Sequence, residues 1–254
     1  MSRIGEVYKT NEEYLVTIIE YINNRNVIVK FNDDYGATIS VHYSQCKKGT
    51  IKNPYHRDIY GVGYIGIGEY RSKQNGKYLK SYGAWRRMLE RSYDVKWHAK
   101  KPSYTECSVC EEWHNFQNFA RWYEENYYEI EGERMELDKD ILVKGNKVYS
   151  PETCVFVPES INTLFVKNDK TRGDLPIGVT YEVKYSKYRA RCSIKGQKRV
   201  HIGYYNDKQE AYEAYEAYKQ YKEQHIKEVA EYYKSHIPTK LYEAMLRYEV
   251  EITD

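Results

Sequence analysis

The strongest constraint on the fold lies in residues 176–205, where apolar and basic side chains alternate along three short β-rich runs. Successive side chains of a β-strand point to opposite faces, so a period of two separates the two kinds of side chain. The pattern predicts a three-stranded antiparallel sheet with one apolar and one basic face. The apolar face would carry Ala190, Cys192, Ile194, Val200 and Ile202, and the basic face Arg189, Arg191, Arg199 and His201, with Lys198 beside Arg199.

Helical periodicity follows this sheet as far as residue 236. Asn206 is expected to cap the helix, with Gln209 at the capping-box position. Small and aromatic side chains then repeat at helical spacing, so they can cover the apolar face of the sheet. This stripe consists of Ala211, Tyr212, Ala214, Tyr215 and Tyr218.

The C-terminal tail, residues 237–254, contains a proline that ends the long helix. Leu241, Ala244, Met245 and Tyr248 are spaced for another short amphipathic helix. Its partner is either the rest of the chain or a second subunit of a homodimer, and the sequence does not choose between them.

Charge is distributed in blocks that the overall total conceals. The 254-residue chain has 40 Lys and Arg against 37 Asp and Glu, a net charge of +3. Residues 71–101 nevertheless carry +8, residues 106–140 carry −8 and residues 178–205 carry +6. Two basic blocks flanking an acidic one are typical of a nucleic-acid-binding protein whose middle part holds a metal or packs on its own basic surface. A solvated, mutually screened surface is the alternative for each block alone.

Composition excludes several classes of protein. No run approaches the ~18 apolar residues of a membrane-spanning helix, and charged residues interrupt the first fourteen positions where a signal peptide would need an apolar stretch. Five cysteines are too few, and odd in number, for a disulfide framework. The 30 tyrosines are too many for a disordered chain. We therefore expect a soluble cytoplasmic protein of two or three domains.

The first 60 residues contain three β-rich runs separated by turn residues, at 14–22, 26–31 and 37–42. They predict a small antiparallel sheet or an SH3-like β-barrel. Glycines recur in the next segment, residues 61–76, which we predict to be a linker. No strand–turn–helix pattern accompanies these glycines, so a nucleotide-binding loop is not expected.

Two helices are expected in the first part of the middle block, residues 77–168. The first extends from Ser81, a candidate N-cap, to residue 93. Its faces away from the apolar stripe carry Arg86 and Arg87, which are candidate contacts to DNA. The second helix is expected over residues 114–127.

The second part of the middle block has the order strand, turn, strand, helix. The β-rich runs lie at residues 135–142, 148–150 and 154–158, and Asn162 lies in the short helix that follows. A ββα unit of this order is typical of a compact metal-binding nuclease motif.

The span from Tyr82 to Asn162 resembles the HNH-type endonucleases that are common in bacteriophage genomes. In that family an Asp at the end of the first strand binds a divalent metal, the next residue is a His that acts as general base, and a helix residue supplies another ligand. The resemblance implies that Asp138 binds Mg²⁺ or another divalent cation, with Asn162 as the helix ligand. The matching residues are Trp85-x-x-Met88-Leu89-x-Arg91-x-Tyr93, Val109-Cys110-x-x-Trp113, Phe116-x-x-Phe119, Leu137-Asp138-Lys139-Asp140 and Tyr149-Ser150-Pro151-Glu152-Thr153-Cys154.

Two departures from the family pattern bear on catalysis. Lys139 stands at the position of the base His, and Thr153 at that of the Asn which orients it. A lysine near a bound cation stays protonated, so it can stabilise phosphate charge but is a poor base. Asp140 and His114 are the alternative bases or ligands. The span therefore predicts either a nuclease that uses Asp138, Lys139 and Asp140, or a nuclease fold kept as a DNA-docking scaffold.

Cysteine spacing gives little support for a structural zinc site. Cys107 and Cys110 form a C-x-x-C pair, but Cys154 is the one further cysteine of this block and has no Cys or His partner beside it. Structural zinc sites usually have a second closely spaced ligand pair. We expect Cys110 and Cys154 to be core residues, and a cation at Asp138 to be a hard, oxygen-bound ion.

The C-terminal segment resembles the ethylene-response-factor (Apetala-two type) DNA-binding domain. In that family a three-stranded sheet lies in the major groove and its arginines reach bases and phosphates, so the resemblance implies that the basic face binds DNA. A solvated sheet face is the alternative. The matching residues are Gly178-Val179, Tyr188-x-Ala190-x-x-x-Ile194, Ile202-Gly203-x-Tyr205, Glu210-Ala211 and Ala214-Tyr215.

Together these features predict a phage-type α+β protein that binds double-stranded DNA and is a metal-dependent HNH-like endonuclease. A catalytically inactive DNA-binding regulator or host-interference protein on the same fold is the alternative. A third hypothesis is that the basic sheet binds an acidic protein. The expected divisions are a small SH3-like barrel at 1–60, a linker at 61–76, an HNH-like domain at 77–168, an ethylene-response-factor-like domain at 176–236 and the tail at 237–254.

Overall fold

The computed structural model describes residues 3–166, 175–192 and 200–251. The protein is of mixed α+β class, as predicted, and has several small sheets. The chain forms two compact units, Met1–Glu125 and Asn126–Asp254. No helix in the described ranges is both long and apolar enough to cross a membrane.

The first unit opens with an antiparallel sheet whose four strands pair in chain order. Its two edge strands do not pair with each other in the described part of the chain, so the sheet is open and the predicted closure into a barrel is wrong. Four strands, two of them no longer than four residues, are too few and too short to bring the edges together. The elements are β1 (Val7–Lys9), β2 (Leu15–Asn23), β3 (Asn26–Phe31), β4 (Thr38–Val41) and the following helix α1 (Tyr43–Lys48).

Residues 61–76, predicted as a linker, include a segment that packs closely on the helices of its own unit. A Cβ atom on Gly68 would lie 2.3 Å from the side-chain oxygen of Gln117, so any other residue would force the hydrogen-bonded Gln117 side chain to move. The buried Gln117 amide donates hydrogen bonds to the carbonyl oxygens of Ile65, at 3.2 Å, and Tyr70, at 3.0 Å. Glycine at this position therefore permits a close contact between the segment and the helical core.

A tight hairpin precedes the first long helix. Its strands are β5 (Lys73–Gln74) and β6 (Lys77–Tyr78). Asn75 and Gly76 join them with φ angles of 50° and 75°. Two left-handed residues between antiparallel strands are typical of a type I′ turn, which an Asn-Gly pair favours. The turn therefore fixes the backbone position of Tyr78, the last residue of β6.

The helices of the first unit surround an aromatic core. The helix α2 (Lys80–Tyr93) begins one residue before Ser81, which is buried in its first turn, so the predicted N-cap at Ser81 is wrong. The indole Nε1 of the fully buried Trp85 donates a hydrogen bond of 2.7 Å to the carbonyl oxygen of Trp113. The remaining elements are α3 (Val95–Lys100), β7 (Ser108–Val109) and α4 (Phe116–Asn126).

The second unit begins with strands and a helix in the predicted order. The first and third of these strands pair antiparallel, with Asp138 opposite Val155 and Glu136 opposite Val157. The turn between the first two strands contains Gly145, with a φ angle of 79°. The elements are β8 (Met135–Asp138), β9 (Val148–Tyr149), β10 (Val155–Pro158) and α5 (Glu159–Asn162).

The predicted three-stranded antiparallel sheet is present in the second unit, with a long helix against its apolar face. Ala190 is fully buried there, together with Tyr215 and Tyr218 of the helix, as expected. Ile194 lies outside the described residues, as do Lys198 and Arg199. The elements are β11 (Val179–Glu182), β12 (Lys187–Cys192), β13 (Val200–Tyr205) and α6 (Lys208–Tyr233).

The N-terminus of α6 is capped one residue later than predicted. The carboxylate of Asp207, not the amide of Asn206, accepts a hydrogen bond of 2.8 Å from the backbone N–H of Glu210. Glu210 accepts one of 2.6 Å from the N–H of Asn206. Asp207 is thus the N-cap of α6, and Glu210 reaches back to the residue before it, so the predicted capping box of Asn206 and Gln209 is not formed.

The tail forms the helix α7 (Thr239–Arg247), and its apolar stripe packs within the second unit. Leu241 and Met245 are fully buried with Ile226 of α6 and Ile161 of α5. Of the two partners left open by the sequence, the stripe therefore contacts its own chain.

Candidate functional site

The carboxylate of Asp138 is fixed at the end of β8 by the backbone that follows it. Its Oδ1 atom accepts hydrogen bonds of 2.8 Å from the N–H groups of both Asp140 and Ile141. Burial, together with the nearby charge of Asp140, raises the pKa of Asp138 to about 7. The structure thus holds a carboxyl group whose charge is poorly compensated by its surroundings.

Lys139 is a buried lysine rather than a surface one. Only 7% of the residue is exposed, and its ammonium lies 3.2 Å from the carboxylate of Asp140. The same ammonium lies 5.7 Å from the centroid of the Tyr149 ring. The side-chain amide of Asn146 donates a hydrogen bond of 2.7 Å to the Lys139 carbonyl oxygen, which fixes the backbone. These contacts are those of a cation held inside the unit.

The other residues of the nuclease-like pattern have structural contacts. Thr153 donates a hydrogen bond of 2.8 Å to the carbonyl oxygen of Val148 and so closes the turn before β10. Asn162 is the last residue of α5, a helix that packs against β8. His114 lies in the first unit, where its Nε2 atom is 3.3 Å from the Tyr93 hydroxyl. Burial and the charge of Arg57 lower the pKa of His114.

These surroundings are a poor fit for a divalent metal ion. In the described part of the chain, no group of three or more His, Cys, Asp and Glu side chains is placed to hold one. One oxygen of Asp138 already accepts two N–H groups, and Asp140 is paired with the ammonium of Lys139. A hard cation needs several free oxygen ligands, and here it would also meet a neighbouring positive charge.

The sheet of the second unit brings predicted DNA-binding residues together. Arg189 and Arg191 flank the buried Ala190 in β12, so both side chains lie on the face opposite α6. Arg191 is directly paired with His201, and Arg189 with Tyr204. We call the surface formed by Arg189, Arg191, His201 and Tyr204 the basic face.

A β-bulge adds Tyr204 to the basic face. The register shifts between Ala190 and Arg191, so that Ala190 pairs with Gly203 whereas Arg191 pairs with His201. Strict alternation along β13 would turn the Tyr204 side chain towards α6. The bulge inserts one unpaired residue between His201 and Gly203, so Tyr204 instead lies on the same face as His201. Its ring lies 4.6 Å from the His201 ring and is 41% exposed.

The two arginines of the basic face differ in their partners. Arg189 forms a salt bridge of 3.0 Å with Glu182 of the neighbouring strand, and its guanidinium lies 5.9 Å from the centroid of the Tyr204 ring. Arg191 has no carboxylate partner among the residues that the structure describes. Sequence reasoning missed both Glu182 and Tyr204. The position of Glu182 in β11 could have revealed it, whereas no local signal marks the bulge.

Arg86 and Arg87 lie in the first unit, where both are exposed on α2. They line an open cleft together with Tyr60, Tyr78 and Glu90. The predicted DNA-binding residues therefore belong to two sites that the two units form separately.

Comparison of the chain with protein-family models, with curated proteins and with solved structures gives no match.

Proposed function

We propose that this protein binds double-stranded DNA through the basic face of its C-terminal sheet. The observation that carries the proposal is the shared orientation of Arg189, Arg191 and His201, which adjacent antiparallel strands present opposite the face covered by α6. The local charge of +6 over residues 178–205 supports a polyanionic partner.

A sheet of this kind has suitable dimensions for duplex DNA. Neighbouring strands lie about 4.8 Å apart, and the major groove, about 12 Å wide, admits a two-stranded β-ribbon. Arg191 is free to contact a phosphate or the acceptor edge of a guanine, because no described carboxylate neutralises it. Tyr204 offers a hydroxyl for a phosphate oxygen.

The test is the salt dependence of duplex binding by full-length protein. Arg191→Ala should weaken binding about tenfold at low salt and reduce the slope of log K against log salt concentration by about 0.9, because one phosphate contact is lost. Arg247→Ala is the matched control, since Arg247 is exposed on α7 and pairs with Glu243. Equal effects of the two variants, or no salt-sensitive binding of duplex, would overturn the proposal. Binding of an acidic protein without competition by DNA would favour the third hypothesis.

Between a nuclease and a non-catalytic DNA-binding protein, the surroundings of Asp138 favour the second. The buried ammonium of Lys139 already supplies positive charge beside Asp140, and a buried, paired lysine is a poor general base. The protein should therefore bind supercoiled plasmid without nicking it, in Mg²⁺, Mn²⁺ or EDTA. Metal-dependent nicking that is lost in Asp138→Asn and kept in Arg247→Ala would contradict this choice and leave DNA binding in place.

A further inference from the structure

A cleft of about 350 Å³ opens beside α2 in the first unit. This volume lies within the range of roughly 300–1,000 Å³ that is typical of small-molecule sites. Its lining contains aromatic rings and two arginines with a single carboxylate, that of Glu90. The cleft therefore offers both flat apolar surface and positive charge.

One side of the cleft is an aromatic platform. Tyr78 is 55% exposed, and its ring stacks on the Tyr82 ring, with centroids 5.0 Å apart and planes 19° apart. Tyr82 is buried and packs edge-on against Phe116 of the core, at 5.4 Å. The exposed ring is thus held from behind by the core, and its backbone is fixed by the β5–β6 hairpin, so little conformational freedom would be lost on binding.

Positive charge surrounds this platform. Arg86 and Arg87 are exposed at the cleft, and the Lys73 ammonium lies 4.4 Å from the centroid of the Tyr78 ring. Interaction with the Tyr60 side chain raises the pKa of Arg86, so its guanidinium stays charged. Lys73 is an exposed, flexible side chain that can move to a phosphate when the ring is covered.

Gly83 keeps the cleft open. Glycine within a helix costs about 0.5–1 kcal/mol relative to alanine, and here it occupies the fourth position of α2. A Cβ atom would meet only the Arg87 guanidinium, at an ordinary contact distance of 3.5 Å, so packing does not demand glycine. A longer side chain at this position would instead occupy the cleft.

We propose that this cleft binds an unpaired nucleobase, which stacks on Tyr78 while Arg86 and Arg87 bind the flanking phosphates. A base within a duplex has both faces covered by its neighbours, so only an unstacked base can lie on an aromatic side chain. The inference rests on the proposed function for its ligand, DNA, but on different residues in a different unit.

The experiment measures binding of full-length protein to labelled oligothymidylate and, separately, to a duplex. Tyr78→Ala should weaken oligothymidylate binding roughly 5- to 100-fold, the effect of losing one base–aromatic stack. Tyr78→Phe keeps the ring and should stay within about twofold of the unchanged protein. Gly83→Gln places a helix-compatible side chain in the cleft and should block binding while the protein remains folded.

The outcomes separate this inference from duplex binding. Equal oligothymidylate binding by Tyr78→Ala and Tyr78→Phe would overturn the proposal that the cleft binds a base. The proposal that the basic face binds duplex would still stand if Arg191→Ala weakens duplex binding. If Tyr78→Ala and Gly83→Gln lose oligothymidylate binding while Arg191→Ala keeps it, the cleft is the binding site for the unpaired base. This conclusion holds even if the protein does not bind duplex.

Discussion

The end of β8 and the outer face of β12 each carry a basic residue, and the two residues differ in burial and in whether a described carboxylate pairs with them. The ammonium of Lys139 is buried between Asp140 and the Tyr149 ring, so its charge is paired inside the protein and is not available to a ligand. Arg191, on the basic face, has no described carboxylate partner. Burial and pairing, rather than residue type, therefore decide which cation is available to DNA.

The largest effect expected from this comparison concerns stability. Lys139→Ala should lower the free energy of unfolding by about 2–3 kcal/mol, because it removes a buried aliphatic stem and leaves acidic neighbours uncompensated. This loss of stability is smaller than that expected on breaking a fully buried ion pair, since the Asp140 side chain is 45% exposed. Urea denaturation measures it.

Two variants complete that measurement. Lys139→Met keeps most of the stem and separates packing from charge, and Arg191→Ala should change the unfolding free energy by no more than about 0.5 kcal/mol. If Lys139→Ala lowered the free energy of unfolding no more than Arg191→Ala does, Lys139 would not be a structural cation and the contrast with Arg191 would be wrong.

A second prediction concerns pH and Asp138. Its folded-state pKa of about 7 lies above the ordinary value of 3.8, so the folded protein binds the proton more tightly than the unfolded chain. This group therefore contributes stability below pH 4 that is lost as the pH rises to about 7, opposite to a salt-bridged carboxylate. Asp138→Asn should be the more stable protein at pH 8, by about 1–2 kcal/mol. A stability difference that does not change between pH 4 and 8 would contradict the raised pKa.

The smallest effect should come from Glu182. Glu182→Gln removes a negative charge beside the basic face and frees Arg189, so duplex binding should tighten about three- to tenfold at low salt. Glu243→Gln, which alters a carboxylate on α7, is the control. Binding that weakens in Glu182→Gln would indicate that the salt bridge instead orients Arg189 for contact.

Local patterns predicted much of the second unit. The alternation around Ala190 correctly placed Arg189, Arg191 and His201 on one face. This prediction succeeds because side chains alternate between the two faces within each strand, whatever the strand pairs with. The bulge beside Arg191 could not be predicted, since it arises from how two strands pair and not from either strand alone.

Other contacts were missed for the same reason. Lys139 matched a catalytic position in the sequence, but its burial depends on Tyr149 and Asn146, which reach it only in the folded chain. Gly68 lies in the segment predicted as a linker, and its contact with the Gln117 side chain is not visible from the local sequence. Contacts between distant positions are therefore what the sequence left open.

The contact between Gln117 and the glycine-containing segment also bears on the order of folding. The hydrogen bond from Gln117 to Ile65 joins residues 52 positions apart, whereas the strands β2 and β3 are connected by a two-residue turn. Closing a long loop costs more chain entropy than closing a short one, and distant contacts slow folding. During synthesis the strands β2 and β3 can pair early, whereas the contact of Ile65 and Tyr70 with Gln117 must wait until residue 117 has left the ribosome.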